Sequence, residues 1–171
     1  QEKDAEFLNR HKLSRHQPAQ PLYGVRDAQR AVEHFSAVDF GQTVRLAGGA
    51  SFRFHPAGHI LGAAWVELEW GGRRIVFSGD IGRYGDPLMP DPAPPVDADY
   101  ILVESTYGNR IHDRTDPAEA LRVVVERTIA RGGVLVIPAF AVGRAQELLY
   151  YFWKLKRAGH LGEIPLFLDS P

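Results

Sequence analysis

Two hydrophobic periods divide this chain, and no single uniform architecture accommodates both. From residue 43 to 77, apolar and polar residues alternate in Thr43-Val44-Arg45-Leu46, Ser51-Phe52-Arg53-Phe54 and Trp65-Val66-Glu67-Leu68-Glu69-Trp70. A period of two sends successive side chains to opposite sides of a pleated strand, which predicts strands with one wet face. Gly71-Gly72 then joins Trp70 to Arg73, a two-residue hairpin signal. The Arg74 to Phe77 run is almost wholly apolar and predicts a central strand, and Tyr100-Ile101-Leu102-Val103 predicts another buried one.

Past residue 116 the period lengthens. Asp116 is placed to cap a helix with Pro117 at its first position, running to about Arg131 and stopping at Gly132-Gly133. Val134 to Pro138 predicts a strand, and Gly143 to Ala158 a helix with Leu148, Leu149, Phe152 and Leu155 on one face. Ile164 to Leu168 predicts a further strand, so this part reads as a βαβ unit with a parallel sheet. Ahead of the β block, residues 2–12 suit a surface helix and 13–24 a loop. Asp27 to Phe35 spaces Ala28, Ala31, Val32 and Phe35 as a helix face. Five prolines make residues 85–98 a stiff connector. The expected class is α/β in the broad, α+β sense: mixed β first, α/β last.

At 171 residues and 44% apolar composition, a sizeable core is available and disorder is excluded. Twenty basic against 21 acidic residues leave a net charge of -1, which excludes a nucleic-acid binder held by bulk charge alone. A local phosphate site remains compatible with that balance. Without cysteine there is no disulfide and no thiolate metal site, so any metal falls to His, Asp or Glu. Apolar runs such as Val134-Leu135-Val136-Ile137 are far below the ~20 residues that span a bilayer, so no membrane partner is expected. Residues 1–20 are charged throughout rather than apolar, and a cytoplasmic location is expected. Gln1 opens a charged helical stretch, and Leu166-Phe167-Leu168 runs out at Asp169-Ser170-Pro171 with nothing to cover it. The chain is therefore expected to be an internal fragment of a longer protein.

Three polar groups lie in glycine-rich loops directly after apolar strands: His59, Asp80 and Glu104. Strand ends hold side chains rigidly, glycine permits close approach to a ligand, and imidazole with carboxylate suits zinc or another first-row metal. Each residue also has an ordinary structural reading. A lone Gly-His is more often a hydrogen-bonded structural histidine, a Gly-Asp after a strand more often a turn or cap, and a strand-end Glu often a salt-bridge partner. Spacing alone does not establish a site.

The strings Ala57-Gly58-His59-Ile60-Leu61-Gly62-Ala63-Ala64, Ser78-Gly79-Asp80-Ile81-Gly82-Arg83 and Glu104-Ser105-Thr106-Tyr107-Gly108-Asn109-Arg110 resemble the metallo-β-lactamase-fold nucleases of the β-CASP family. Pro138-Ala139-Phe140-Ala141-Val142-Gly143-Arg144-Ala145-Gln146-Glu147 and Ile164-Pro165 to Asp169-Ser170-Pro171 continue the match in order, over nearly the whole chain. The resemblance implies the C-terminal part of an αββα sandwich over residues 1–108 and the beginning of an inserted β-CASP domain over 109–171. It implies His59 as a zinc ligand and Asp80 as the carboxylate bridging two zinc ions. Glu104 is implied as a catalytic acid just outside the ligand shell. The activity implied is hydrolysis of RNA phosphodiester bonds, as in RNA processing or degradation, by a metal-activated water.

Gly143-Arg144 opens a helix where amides and a guanidinium meet phosphate, which marks Arg144 as a substrate-binding candidate; pairing with a nearby carboxylate such as Glu147 is the alternative. Single-stranded RNA is the expected partner, and a homodimer is compatible. DNA-processing members carry Cys-Pro after the motif histidine, whereas this chain has Ile60-Leu61, which favours RNA over DNA. The family's His-x-His-x-Asp-His motif is absent, so the chain alone is expected to be inert. A non-catalytic scaffold subunit and a hydrolase of small esters are the other classes left open.

Overall fold

The computed structural model describes residues 1–169, so the last two positions of the Asp169-Ser170-Pro171 string lie outside the described residues. The chain divides into two compact units, Gln1–Val38 and the residues from Asp39 onward. Among the described residues the fold is mixed α+β, with a five-stranded sheet and four α-helices.

The first unit holds α1, Glu2–His11, and α2, Val25–Val32. The loop between them is tied by Asn9, whose side chain donates to the Ala19 carbonyl (2.9 Å) and accepts from the Ala19 amide (2.6 Å). α2 starts two residues earlier than its apolar spacing predicts, because Asp27 reaches back to accept from the Gly24 amide at 3.0 Å. It also stops earlier, and Phe35, expected on its apolar face, lies beyond it and exposed.

In the second unit β1 (Val44–Arg45), β2 (Ser51–Pro56), β3 (Ala64–Trp70), β4 (Arg73–Phe77) and β5 (Tyr100–Leu102) stand in sequence order across the sheet. The first three pairings are antiparallel, and β4 pairs with β5 in parallel. The Gly71-Gly72 hairpin forms as predicted, with Trp70 opposite Arg73 and positive φ at both glycines (58° and 73°). That pair of angles is what a type I′ turn requires and what side-chain-bearing residues resist. β4 is central, as its composition predicts. β5 is not buried, since Tyr100, Ile101 and Leu102 are all more than half exposed. It has a strand on one side only, and no described segment covers its faces.

Register puts Phe52, Leu68, Ile75 and Tyr100 in one row and Phe54, Val66, Phe77 and Leu102 in another on the same side of the sheet. The opposite side carries Arg53, His55, Glu67, Arg74, Trp65 and Val76. The period-two pattern predicts that this polar side is wet, and here the structure corrects it. Residues 85–98 cross this face, with Ala93, Val96 and Ala98 packing on the buried Ala57, Trp65 and Val76. The crossing is stitched down by the Ala93 amide to the Pro56 carbonyl (2.9 Å) and by Arg74 to the Asp97 carbonyl (3.0 Å). Glu67 is left only 2% exposed. Its carboxylate is matched by His55 at 2.8 Å, Arg74 at 3.0 Å and Arg53 at 3.5 Å, and His55 in turn stacks on Trp65. A buried carboxylate survives only with such partners.

α3, Pro117–Ala130, and α4, Arg144–Arg157, pack on one another through Ala118, Val125, Tyr151, Phe152 and Leu155. The buried side of α4 includes Ala145, Glu147 and Tyr151 and leaves the predicted Leu149 exposed. Asp116 caps α3, accepting from the Ala118 amide at 3.0 Å, with Pro117 at the first position as predicted. Asp116→Ala is expected to destabilise this helical part by about 1 kcal/mol, read as a shift in denaturant midpoint. An unshifted midpoint would mean that Pro117 alone sets the helix start. The predicted strands Val134–Pro138 and Ile164–Leu168 do not form, so the βαβ unit and its parallel sheet are absent among the described residues. Leu135 and Ile164 do pack against the α3–α4 core. A strand exists only through its ladder, however, and neither segment meets a partner strand.

Candidate functional site

Three strands of the sheet run in the same direction. β2 is antiparallel to β3, β3 to β4, and β4 is parallel to β5, so β2, β4 and β5 deliver their C-terminal ends to one edge. His59 lies three residues past β2, Asp80 three past β4, and Glu104 two past β5. The topology thus brings the three sequence candidates to a single edge. Both His59 and Asp80 are exposed there.

The two loops abut. The Gly82 amide donates to the Ala57 carbonyl at 2.8 Å, and a Cβ on Gly82 would fall 1.8 Å from the Gly58 oxygen. Only glycine permits that approach, which is the physical content of the Gly-rich strings around His59 and Asp80. Glu104 closes the third side. One carboxylate oxygen accepts from the Ile81 amide (2.7 Å) and the other from the Thr106 hydroxyl (2.6 Å). The Thr106 hydrogen bond, then the Ile81 amide and the nearby His59, hold its carboxyl below the usual range. A depressed carboxyl adds stability to this loop above its unfolded value, and that stability is lost as pH falls through the folded one. With both oxygens engaged, Glu104 is a partner of the Asp80 loop rather than a free ligand.

Arg144 opens α4 and donates to Glu147 at 2.7 Å, so the structure realises the carboxylate pairing that its sequence position left open. Its guanidinium remains largely exposed. The start of α4 lies against the His59 loop, where a Cβ on Gly143 would sit 3.2 Å from a methyl of Ile60. A cleft of about 240 Å³ runs along this edge, lined by Ile81, Arg83, Glu104, Thr106, Tyr107 and His112. A larger cavity of about 680 Å³ lies at the opposite, hairpin end of the sheet. Both of its arginines are already paired, Arg73 with Asp99 and Arg74 with Glu69, and it holds none of the three candidate residues.

As a donor set, one imidazole and one carboxylate at a shared edge suit a first-row dication. Among the described residues no group of three or more His, Asp or Glu gathers closely enough to hold an ion. The chain therefore fits part of a metal shell, short of the three or four protein ligands that zinc sites have. Sequence reasoning missed Arg83, Thr106 and His112 at this edge. Thr106 and Arg83 sit within three residues of Glu104 and Asp80, a proximity that would have flagged them; nothing in the pattern marks His112.

No protein-family model matches the chain. It is 41% identical over 155 residues to Ribonuclease TTHA0252 of Thermus thermophilus, covering 89% of this chain and 35% of that protein. It is 37% identical over 164 residues to Cleavage and polyadenylation specificity factor 73 of Drosophila melanogaster (93% and 24%). It is 44% identical over 156 residues to Endoribonuclease YSH1 of Mycosarcoma maydis (87% and 17%). These relatives are metallo-β-lactamase-fold nucleases of the β-CASP family, and the chain is homologous to them over 87% or more of its length. It spans at most about a third of the length of these three relatives.

Proposed function

We propose that the protein carrying this chain is a metal-dependent ribonuclease that hydrolyses RNA phosphodiester bonds, with single-stranded RNA as substrate. The observation that carries this reading is the delivery of His59, Asp80 and Glu104 to one sheet edge by three strands of common direction. It is supported by relatives whose names are ribonuclease and endoribonuclease. We further assign residues 1–108 to the metallo-β-lactamase part and 109–171 to the start of the β-CASP part.

His59 and Asp80 would hold the metal, taken as two zinc ions. Bound there, it would supply a water made nucleophilic near neutral pH, with a pKa near ~7, and positive charge to offset that on the phosphate oxygens. Glu104 acts through position: the Thr106 hydroxyl fixes one carboxylate oxygen, and the other accepts from the Ile81 amide and so holds the Asp80 loop. The exposed part of the Arg144 guanidinium contributes an N–H donor toward the phosphate backbone while Glu147 fixes its orientation.

The test uses the full-length protein on a labelled single-stranded RNA with a matched DNA in parallel. Cleavage of the RNA is expected to be the faster. Glu104→Gln is expected to slow it by about 10- to 100-fold, the usual cost of altering a group that orients a metal ligand. DNA cleaved as fast as RNA would remove the RNA assignment, and a wild type inert on both would favour a scaffold subunit.

A further inference from the structure

Glu147 is a buried acid that does more than orient Arg144. It lies in the first turn of α4, and its carboxylate receives three donors from two parts of the fold. Arg144 donates at 2.7 Å and the Tyr151 hydroxyl at 3.4 Å, both from α4 itself. The third donor is Arg83, 64 residues away, through a charge-assisted hydrogen bond. Arg83 also reaches Asp86 through its Nε at 3.3 Å. Its guanidinium is thereby held between two carboxylates and serves as a strut rather than a free cation.

What the strut carries is the loop after β4. Asp80, Ile81, Gly82 and Arg83 are consecutive, and each of the last three is pinned by a different element. Ile81 is held by Glu104 after β5, Gly82 by Ala57 after β2, and Arg83 by Glu147 on α4. The first anchor is a single hydrogen bond at an exposed edge, and the second a single backbone hydrogen bond to the carbonyl of the buried Ala57. The third is an ion pair at a buried carboxylate, where the local dielectric is lower and the attraction stronger. Asp80 has no such anchor of its own: among the described residues its carboxylate accepts no hydrogen bond, so its placement is inherited from its neighbours.

We propose that Glu147 is a positioning residue: through Arg83 it ties the Asp80 loop to α4 and sets where the Asp80 carboxylate stands. This rests on the nuclease reading only for the consequence in cleavage; the tie itself is independent of it. A misplacement of ~1 Å at a reacting centre costs up to about 100-fold in rate. Loss of the strut therefore acts on turnover, and leaves substrate affinity to other groups.

The experiment compares Glu147→Gln, Arg83→Gln and the double variant in the full-length protein. In metal-free protein, amide exchange at Ile81 and Gly82 is expected to speed up by roughly tenfold in all three, with Val125 in the α3 core unchanged. With metal, kcat is expected to fall by about 10- to 100-fold in all three, at nearly constant KM in Arg83→Gln and with a raised KM where Glu147→Gln also releases Arg144. The double variant is expected to be no worse than the poorer single, because both remove one interaction. Arg144→Ala, which touches Glu147 without joining the loop, is expected to leave Ile81 and Gly82 exchange alone and to raise KM.

Unchanged exchange at Ile81 and Gly82, or single effects that multiply in the double variant, would overturn the proposal. If Glu147→Gln also exposes Val125, the half-exposed Arg83→Gln variant decides. Faster loop exchange with no RNA cleavage by the wild type would sustain the tie and overturn the nuclease reading instead.

Discussion

Asp80→Asn in the full-length protein is expected to reduce RNA cleavage by well over the ~100-fold that marks the upper cost of altering an outer-shell partner. The amide keeps the shape of the side chain and removes the charge that two dications would share. The structure makes this a clean test. Asp80 is exposed, and among the described residues its carboxylate accepts no hydrogen bond and forms no ion pair. Its replacement is expected to leave folding stability within about 0.5 kcal/mol, as for other surface positions without partners. The measurements are single-stranded RNA cleavage, bound zinc per chain and the denaturant midpoint. A variant that cleaves at the wild-type rate would refute the metal role. A lowered midpoint would show that the loss comes from the fold and not from the chemistry.

Gly82→Ala is expected to be the most damaging single methyl at this edge. The added Cβ would lie 1.8 Å from the Gly58 oxygen, 2.2 Å from the Gly58 carbonyl carbon and 2.8 Å from the His59 nitrogen. All three are backbone atoms, so no side chain can swing aside, and one loop must retreat by more than an ångström. Overpacking of this kind costs about 1–3 kcal/mol or more. Here it also pulls His59 and Asp80 apart, and cleavage is expected to fall with stability. Gly162→Ala is the control: its added Cβ meets nothing within 4 Å, and its effect is expected to stay within about 0.5 kcal/mol. Wild-type stability and activity in Gly82→Ala would show that the two loops separate without consequence.

Much of the local structure was legible because its causes are local. The Gly71-Gly72 turn, the Asp116 cap with Pro117 behind it, and the extent of α4 each depend on a few adjacent residues. The three candidate site residues were legible for a related reason, since each follows an apolar run and sits among glycines. Their convergence depended on the direction of β2, β4 and β5, which is a property of the pairing.

Sequence alone determined where the period is two, where it is helical, and which side chains stand at strand ends. The tertiary structure decided what covers each surface. Glu67 alternates like a solvent-facing residue, yet the 85–98 crossing buries it and Arg53, His55 and Arg74 compensate its charge. Val134–Pro138 and Ile164–Leu168 have strand composition, yet no neighbouring strand meets them among the described residues. Arg83 and Glu147 meet across 64 positions without any pattern linking them. Periodicity is set by the backbone geometry of one segment, whereas burial, ladder formation and ion pairing are set by what a second, distant segment brings against it.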